Sequence, residues 1–241
     1  MNILILGYGK MGKIISQLAE ERGHCIVAKI NIENVADLDH LNTDEIDVAI
    51  EFSQPSSAVG NITWCMQHQV PVVVGTTGWM DEKEAMAELC AQKNGALFYA
   101  SNFSIGVNIF FKVNAFLAKL MNDQTSYRAD LEEIHHTEKK DAPSGTAITL
   151  AEGLINNNNR YSKWELKEGE GHTEEKVLPI TSKRIDPAPG THIVSYKSDI
   201  DDITINHTAH NRKGFALGAV LVAEWLPGKK GVLSMNDFLD F

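Results

Sequence analysis

The chain has 241 residues, enough for two domains at roughly 100–200 residues each, and 43% of them are apolar, which supplies packed cores and argues against disorder. Lys and Arg number 22 against 32 Asp and Glu, a formal charge of −10, so nucleic acid is excluded as the main partner, because neutralising phosphates needs clustered cations. No run of about 18 apolar residues predicts a membrane span, no secretory leader is expected from the start MNILILGYGKMGK, and three scattered cysteines (Cys25, Cys65, Cys90) suit reduced thiols in a cytoplasmic protein.

In chain order, the apolar run Asn2–Leu6 predicts a strand, and Met11, Ile14, Ile15, Leu18 and Ala19 then recur at helical spacing up to Gly23. Cys25–Ile30 and Ala96–Ala100 read as further strands, and Asp47–Phe52 and Val70–Val74 as two more buried on both faces. Between them, Ser56–His68 predicts a helix. Asp81 with Glu84 has the spacing of a capping box opening another helix, closed by Gly95. This alternation implies βαβ units in a Rossmann-type, doubly wound parallel sheet. After about Ser104 the rhythm changes. A long helix is predicted from Ile105 to Met121, a strand over Arg128–His136 and a helix over Ser144–Ile155. Three strands, Lys176–Ile185, Thr191–Lys197 and Asp202–Ala209, are joined by short connections, so a second α+β domain with a mixed, mostly antiparallel sheet is expected. Phe215–Leu226 is a last apolar helix, which is expected to return to the first domain. The expected division is 1–104 with 215–241 as a dinucleotide-binding domain and 105–214 as an inserted domain.

Three places carry chemistry. Gly7-Tyr8-Gly9-Lys10-Met11-Gly12 follows a strand and opens a helix, the context in which a G-x-G-x-x-G pattern cradles a pyrophosphate. The acidic residue usual about 20 residues later is missing; Lys29 and Asn31 stand at the end of the second strand, leaving NADH against NADPH open. Gly75-Thr76-Thr77 and Ala100-Ser101-Asn102-Phe103 end two further parallel strands, where loops line a cofactor crevice. The densest stretch runs from Glu133 through His135, His136, Lys139, Lys140 and Asp141 to Ser144-Gly145-Thr146. Neighbours on a strand point to opposite faces, so His135 and His136 should differ in role. Ser144, Gly145 and Thr146 at a helix start offer N–H groups to a carboxylate. Lys139 can donate a proton or hold a negative charge, and neighbouring cations should lower its pKa. Adjacent histidines without a third spaced ligand make a poor zinc set, so no metal is expected. His207 and His210 read as core or surface residues.

Together these residues resemble the 4-hydroxy-tetrahydrodipicolinate reductase (dihydrodipicolinate reductase) family over essentially the whole chain: GYGKMG, VGTTG at Val74–Gly78, ASNFSIGVN at Ala100–Asn108, EIHHTEKKDAPSGTA at Glu133–Ala147, and the later THIVSY, ITINHTAHNRKGFALGA and GVLSMNDFLDF. The resemblance implies reduction of 4-hydroxytetrahydrodipicolinate to tetrahydrodipicolinate by NADPH or NADH with loss of water, in lysine biosynthesis through diaminopimelate. It also implies a homotetramer assembled through the second domain. His135 and Lys139 match the family's proton donors; His136, Gly145 and Thr146 match substrate-binding positions. Gly7–Gly12, Gly75–Thr77 and Ala100–Phe103 match the nucleotide site. Asn31 stands where the family often has an acid, and Asp186 replaces a common glycine. The rival readings are a related amino-acid dehydrogenase and a non-catalytic NAD(P)H-sensing regulator; the intact donor set speaks against both.

Overall fold

The computed structural model describes residues 1–167 and 174–241, and the chain divides into two compact units, Met1–Ile105 with Lys213–Phe241 and Gly106–Arg212.

In the first unit the strands β1 (Asn2–Leu6), β2 (Cys25–Ile30), β3 (Val48–Glu51), β4 (Val72–Val74), β5 (Ala96–Tyr99) and β11 (Gly231–Leu233) form one parallel sheet in the order β11-β5-β4-β3-β1-β2. Helices α1 (Lys10–Glu21), α2 (Pro55–Gln67), α3 (Lys83–Gln92), α6 (Lys213–Trp225) and α7 (Met235–Leu239) complete it. Strand alternation explains the two-sided burial. Ile3 and Ile5 of β1 join Ile15 of α1 and Ala219 and Val220 of α6 in one core, whereas Leu4 and Leu6 join Ile62 and Met66 of α2 and Cys90 of α3 in another. The parallel strands match the sequence reading within one or two residues. The sixth strand, β11, was not read, because three residues carry no periodicity. The capping box expected at Asp81 and Glu84 does not form: Met80–Glu82 is a 3-10 turn and α3 begins at Lys83 without a side-chain cap. A capping box closes instead between Ser234 and Asp237 at α7. Asn94, not Gly95, takes the left-handed conformation after α3; a Cβ at Gly95 would lie 2.7 Å from the Met66 sulfur, so that glycine serves packing.

The second unit contains α4 (Ile105–Met121, which starts one residue before the boundary), β6 (Arg128–His135), α5 (Gly145–Ile155), β7 (Lys163–Leu166), β8 (Val177–Arg184), β9 (Gly190–Lys197) and β10 (Asp202–Ala209). Its sheet has the order β10-β9-β6-β8-β7, with two antiparallel pairs (β10–β9, β9–β6) and two parallel pairs (β6–β8, β8–β7). β8 and β9 run in opposite directions but are not partners, because β6 lies between them. Helices α4 and α5 cover one sheet face: Leu131, Ile180, Val194 and Tyr196 pack with Phe110, Ala118, Leu150 and Leu154. The fully buried Asn114 fixes the two helices by donating to the Leu150 carbonyl at 2.8 Å.

Candidate active site

The first candidate region lies wholly in the nucleotide-type unit. At the end of β1, Gly7 adopts φ +97°, and a Cβ there would strike the Phe52 carbonyl, while one at Gly12 would strike the Gly7 carbonyl oxygen. These two glycines permit the turn and the helix-to-strand packing. Gly9 differs: a Cβ there would meet nothing within 4 Å, so the space above the first N–H groups of α1 is open. A cavity of about 360 Å³ adjoins it, lined by Gly7, Tyr8, Gly9, Asn31, Glu33 and Phe52 among others. Open space over a helix N-terminus is what a diphosphate needs, and the residues present fit a nicotinamide dinucleotide.

The remaining sequence candidates divide. Asn31 lines the cavity, but its Oδ1 already accepts from the Glu33 N–H at 2.7 Å, closing a local turn. Lys29 stands 5.1 Å above the Tyr8 ring and 3.5 Å from Glu20. Lys10 is exposed; Met11, in the first turn of α1, packs half-buried against the core. Gly75 is dictated by the Phe52 ring, which occupies the place of any Cβ. Thr76 is buried and its Oγ1 accepts from the Ser53 N–H at 2.8 Å, tying this loop to the cavity wall. Thr77 and Ser101 are exposed, Ala100 is buried, and Asn102 accepts from the Ser104 N–H. Phe103 is a core residue, its ring 5.5 Å from Phe52 and 5.9 Å from Phe98. Ser53, Gln54, Ser57 and Asn61 also line the cavity and were not read from the sequence, although the rule that ligands sit beyond strand carboxyl ends points to the residues after β3.

The second region lies wholly in the other unit. His135 ends β6 and is buried; His136, next along, is half-buried and lines a recess of about 590 Å³ with Thr137, Asp186, His210 and Arg212. Their separate surroundings follow from strand alternation. The Nδ1 of His135 lies 3.4 Å from Glu133 Oε2, and its ring meets that of His192 edge-on at 5.1 Å. Burial lowers the pKa of His135; the Glu133 charge opposes this, while Lys139 and Arg184 add to it. Burial also drives His192 down, to about 4. Glu133 is pushed up by burial, yet hydrogen bonds from Ser144 and Ser182 win and hold it below the usual carboxylate range.

Lys139 does not stand among bare cations as expected. Its ammonium bonds both carboxylate oxygens of Asp141 at 2.8 Å. Arg184 links the loop together, donating to the Lys139 carbonyl at 3.2 Å, the Asp141 carbonyl at 2.6 Å and Glu133 at 3.3 Å. Ser144 is the N-cap of α5, but its polar groups are committed: its N–H faces Glu133, and its Oγ accepts from Ala147 and meets His192 at 3.2 Å. Gly145 and Thr146 keep first-turn N–H groups without intrahelical acceptors, and a Cβ on Gly145 would meet nothing within 4 Å. Asp186 accepts from the N–H and hydroxyl of Thr137 at 3.1 and 2.6 Å and so fastens the loop after His136. Glu133, His135 and His192 bring ligand-type atoms within 4.8 Å of one another, a grouping that adjacency on the chain concealed.

Two family patterns match in tandem: "Dihydrodipicolinate reductase, N-terminus" over residues 1–103 and "Dihydrodipicolinate reductase, C-terminus" over 106–239. The chain belongs to the dihydrodipicolinate reductase family. It is 49% identical over 241 residues to the 4-hydroxy-tetrahydrodipicolinate reductase of Christiangramia forsetii, covering 99% of this chain and 98% of that protein. The Neisseria meningitidis 4-hydroxy-tetrahydrodipicolinate reductase is 33% identical over 226 residues, 92% of this chain and 82% of that protein. In fold, the chain is similar to dipicolinate-bound dihydrodipicolinate reductase from Paenisporosarcina sp. TG-14, with a TM-score of 0.82 at 22% identity over 99% of each chain. A family that reduces with NADH or NADPH needs room for a diphosphate, and the space beside Gly9 is open.

Proposed function

We propose that this chain reduces (2S,4S)-4-hydroxytetrahydrodipicolinate to tetrahydrodipicolinate with loss of water, using NADH or NADPH, in lysine biosynthesis through diaminopimelate. When bound, the nicotinamide supplies the hydride. Gly9 and the free first-turn N–H groups of α1 would hold its diphosphate, Gly7 and Gly12 shaping the turn while the Gly7 N–H stays bonded to the Ile30 carbonyl, and Tyr8 and Asn31 would flank the ribose. His136 and the open N–H groups of Gly145 and Thr146 hold the substrate carboxylates. His135 and Lys139 supply the proton, a contribution worth about 10²–10⁴ in rate.

The observation that carries this reading is the joining, by Arg184, of the Lys139 loop to Glu133, beside the buried imidazole of His135 and the open first turn of α5. A doubly anionic ligand also favours protonated imidazole, against the burial that lowers its pKa. The falling limb of kcat therefore lies at higher pH than that of kcat/KM. Steady-state assays with each reduced cofactor, and substrate generated by the preceding synthase, test both statements. Turnover with neither cofactor, or full turnover by His135→Gln, refutes the assignment.

A homotetramer is the assembly we propose, supported by the exposed apolar stripe Ile109, Val113, Phe116 and Leu120 on α4 and by the open edge of β10. Among the described residues no helix is long and apolar enough to cross a membrane. Three unpaired thiols agree with a reducing cytoplasm.

A further inference from the structure

We propose that Glu133 is a positioning residue: one buried carboxylate, backed by His192, sets the orientation and tautomer of His135 and anchors the first turn of α5. The inference rests on the reading of His135 as the proton donor. Glu133 precedes His135 by two positions on β6, so both side chains leave the same face of the sheet. The Glu133 side chain is fully buried, and burying a carboxylate is costly unless donors converge on it. Here they come from three other positions. The Ser144 N–H lies 3.1 Å from Oε2, and the Ser182 hydroxyl 2.8 Å and Arg184 Nη2 3.3 Å from Oε1. His192 Nε2 stands behind them, 3.8 Å from Oε2 and 3.2 Å from the Ser144 Oγ.

The remaining approach is from His135 Nδ1, which has no hydrogen-bond partner at good geometry although Glu133 Oε2 is 3.4 Å away. A proton on Nδ1 aimed at this carboxylate leaves Nε2 as the atom that exchanges protons. Nε2 lies on the Gly190 side, where a Cβ would sit 3.1 Å away. The charged groups facing the imidazole are therefore Glu133 on its own strand, Arg184 on β8, Lys139 and Asp141 in the following loop, with titratable His192 on β9. The same carboxylate reaches the Ser144 N–H and so fixes where α5 begins. Proton donor and carboxylate cradle thus share one anchor. The grouping of Glu133, His135 and His192 has the makings of a metal set, but an arginine 3.3 Å from Glu133 Oε1 and two further donors already neutralise it.

The test uses the full chain. Glu133→Gln keeps the size and an acceptor for Ser182 while removing the charge. In the substrate-free protein, NMR titration of the ring C–H signals of His135 should show a lower midpoint than in the parent, by about one pH unit for the loss of an opposite charge at this range. In turnover, kcat falls about 10–100-fold, as for lost second-layer partners of a functional histidine. Its falling limb moves down with the titration, and KM changes less than kcat. Glu133→Asp, which keeps the charge, restores part of the rate. An unmoved His135 titration in Glu133→Gln overturns the inference whatever turnover does, as does parental kcat in a folded Glu133→Gln while His135→Gln has collapsed. If Glu133→Gln does not fold, the His135 titration in Glu133→Asp decides: it must differ from the parent. Full activity in His135→Gln overturns the donor assignment instead, and the NMR result then judges Glu133 separately.

Discussion

Glycines that look alike in a motif carry different burdens. Gly12→Ala drives a Cβ into the Gly7 carbonyl and must move α1 off the sheet, so it lowers Tm and weakens cofactor binding together. Gly9→Ala finds open space in the free chain and leaves Tm near the parent value, but fills the room over the α1 N-terminus. Its expected signature is a reduced-nicotinamide Kd raised at least tenfold by fluorescence titration, and an unchanged Kd would remove Gly9 from the cradle. Lys139→Ala should lower kcat by about 10²–10⁴ with little effect on cofactor Kd. Because Asp141 loses its bidentate partner, adding Asp141→Ala should restore little of the rate if Lys139 acts on substrate, and much of it if the lysine only neutralises Asp141. His192 supplies a pH test of stability. Its folded pKa, about 4, lies below the unfolded value near 6.5, so the folded chain binds fewer protons in that window. Stability is full above pH 6.5 and falls as pH drops toward 4, by on the order of 3 kcal/mol from this residue. Chemical denaturation of His192→Asn at several pH values should show a shallower acid slope, and an equal slope would exclude His192 as its source. His135, His136 and Lys139 stood out as candidates in the sequence because they crowd one stretch. His192, 57 positions beyond His135, did not, since a lone histidine on a strand carries no local mark of its neighbours.

At the scale of elements, what could be read was what periodicity encodes. The buried strands β1, β3, β4 and β5 are continuous apolar runs, and α1 and α4 repeat at helical spacing, so their limits emerged nearly correct. Short or cap-governed pieces did not. β7 and β11 have four and three residues, too few to show alternation. The acidic pair at Asp81 and Glu84 had capping-box spacing, but a 3-10 turn took Asp81 and displaced the helix start. Register between strands is equally invisible to local pattern: the short loop from β8 to β9 suggested a hairpin, and only the insertion of β6 between them brings Arg184 and His192 to either side of Glu133. Sheet order thus assembles the proposed proton-donating cluster, with β6 at the centre and its two neighbours supplying the groups around its carboxyl end.

For the whole molecule, the apolar stripe of α4 gives the assembly prediction. Phe116 is 64% exposed, and Phe116→Glu should lower the mass measured by light scattering in size-exclusion chromatography; an unaltered tetramer would free α4 from the interface. The chain's path has a further consequence. Residues 106–212 form one uninterrupted unit, entered once and left once, while both ends of the polypeptide belong to the other. Under the proposed assignment, the groups that choose the compound to be reduced are encoded in a single cassette, so natural recombination or a protein engineer could exchange it at two joints and leave the proposed cofactor cradle untouched.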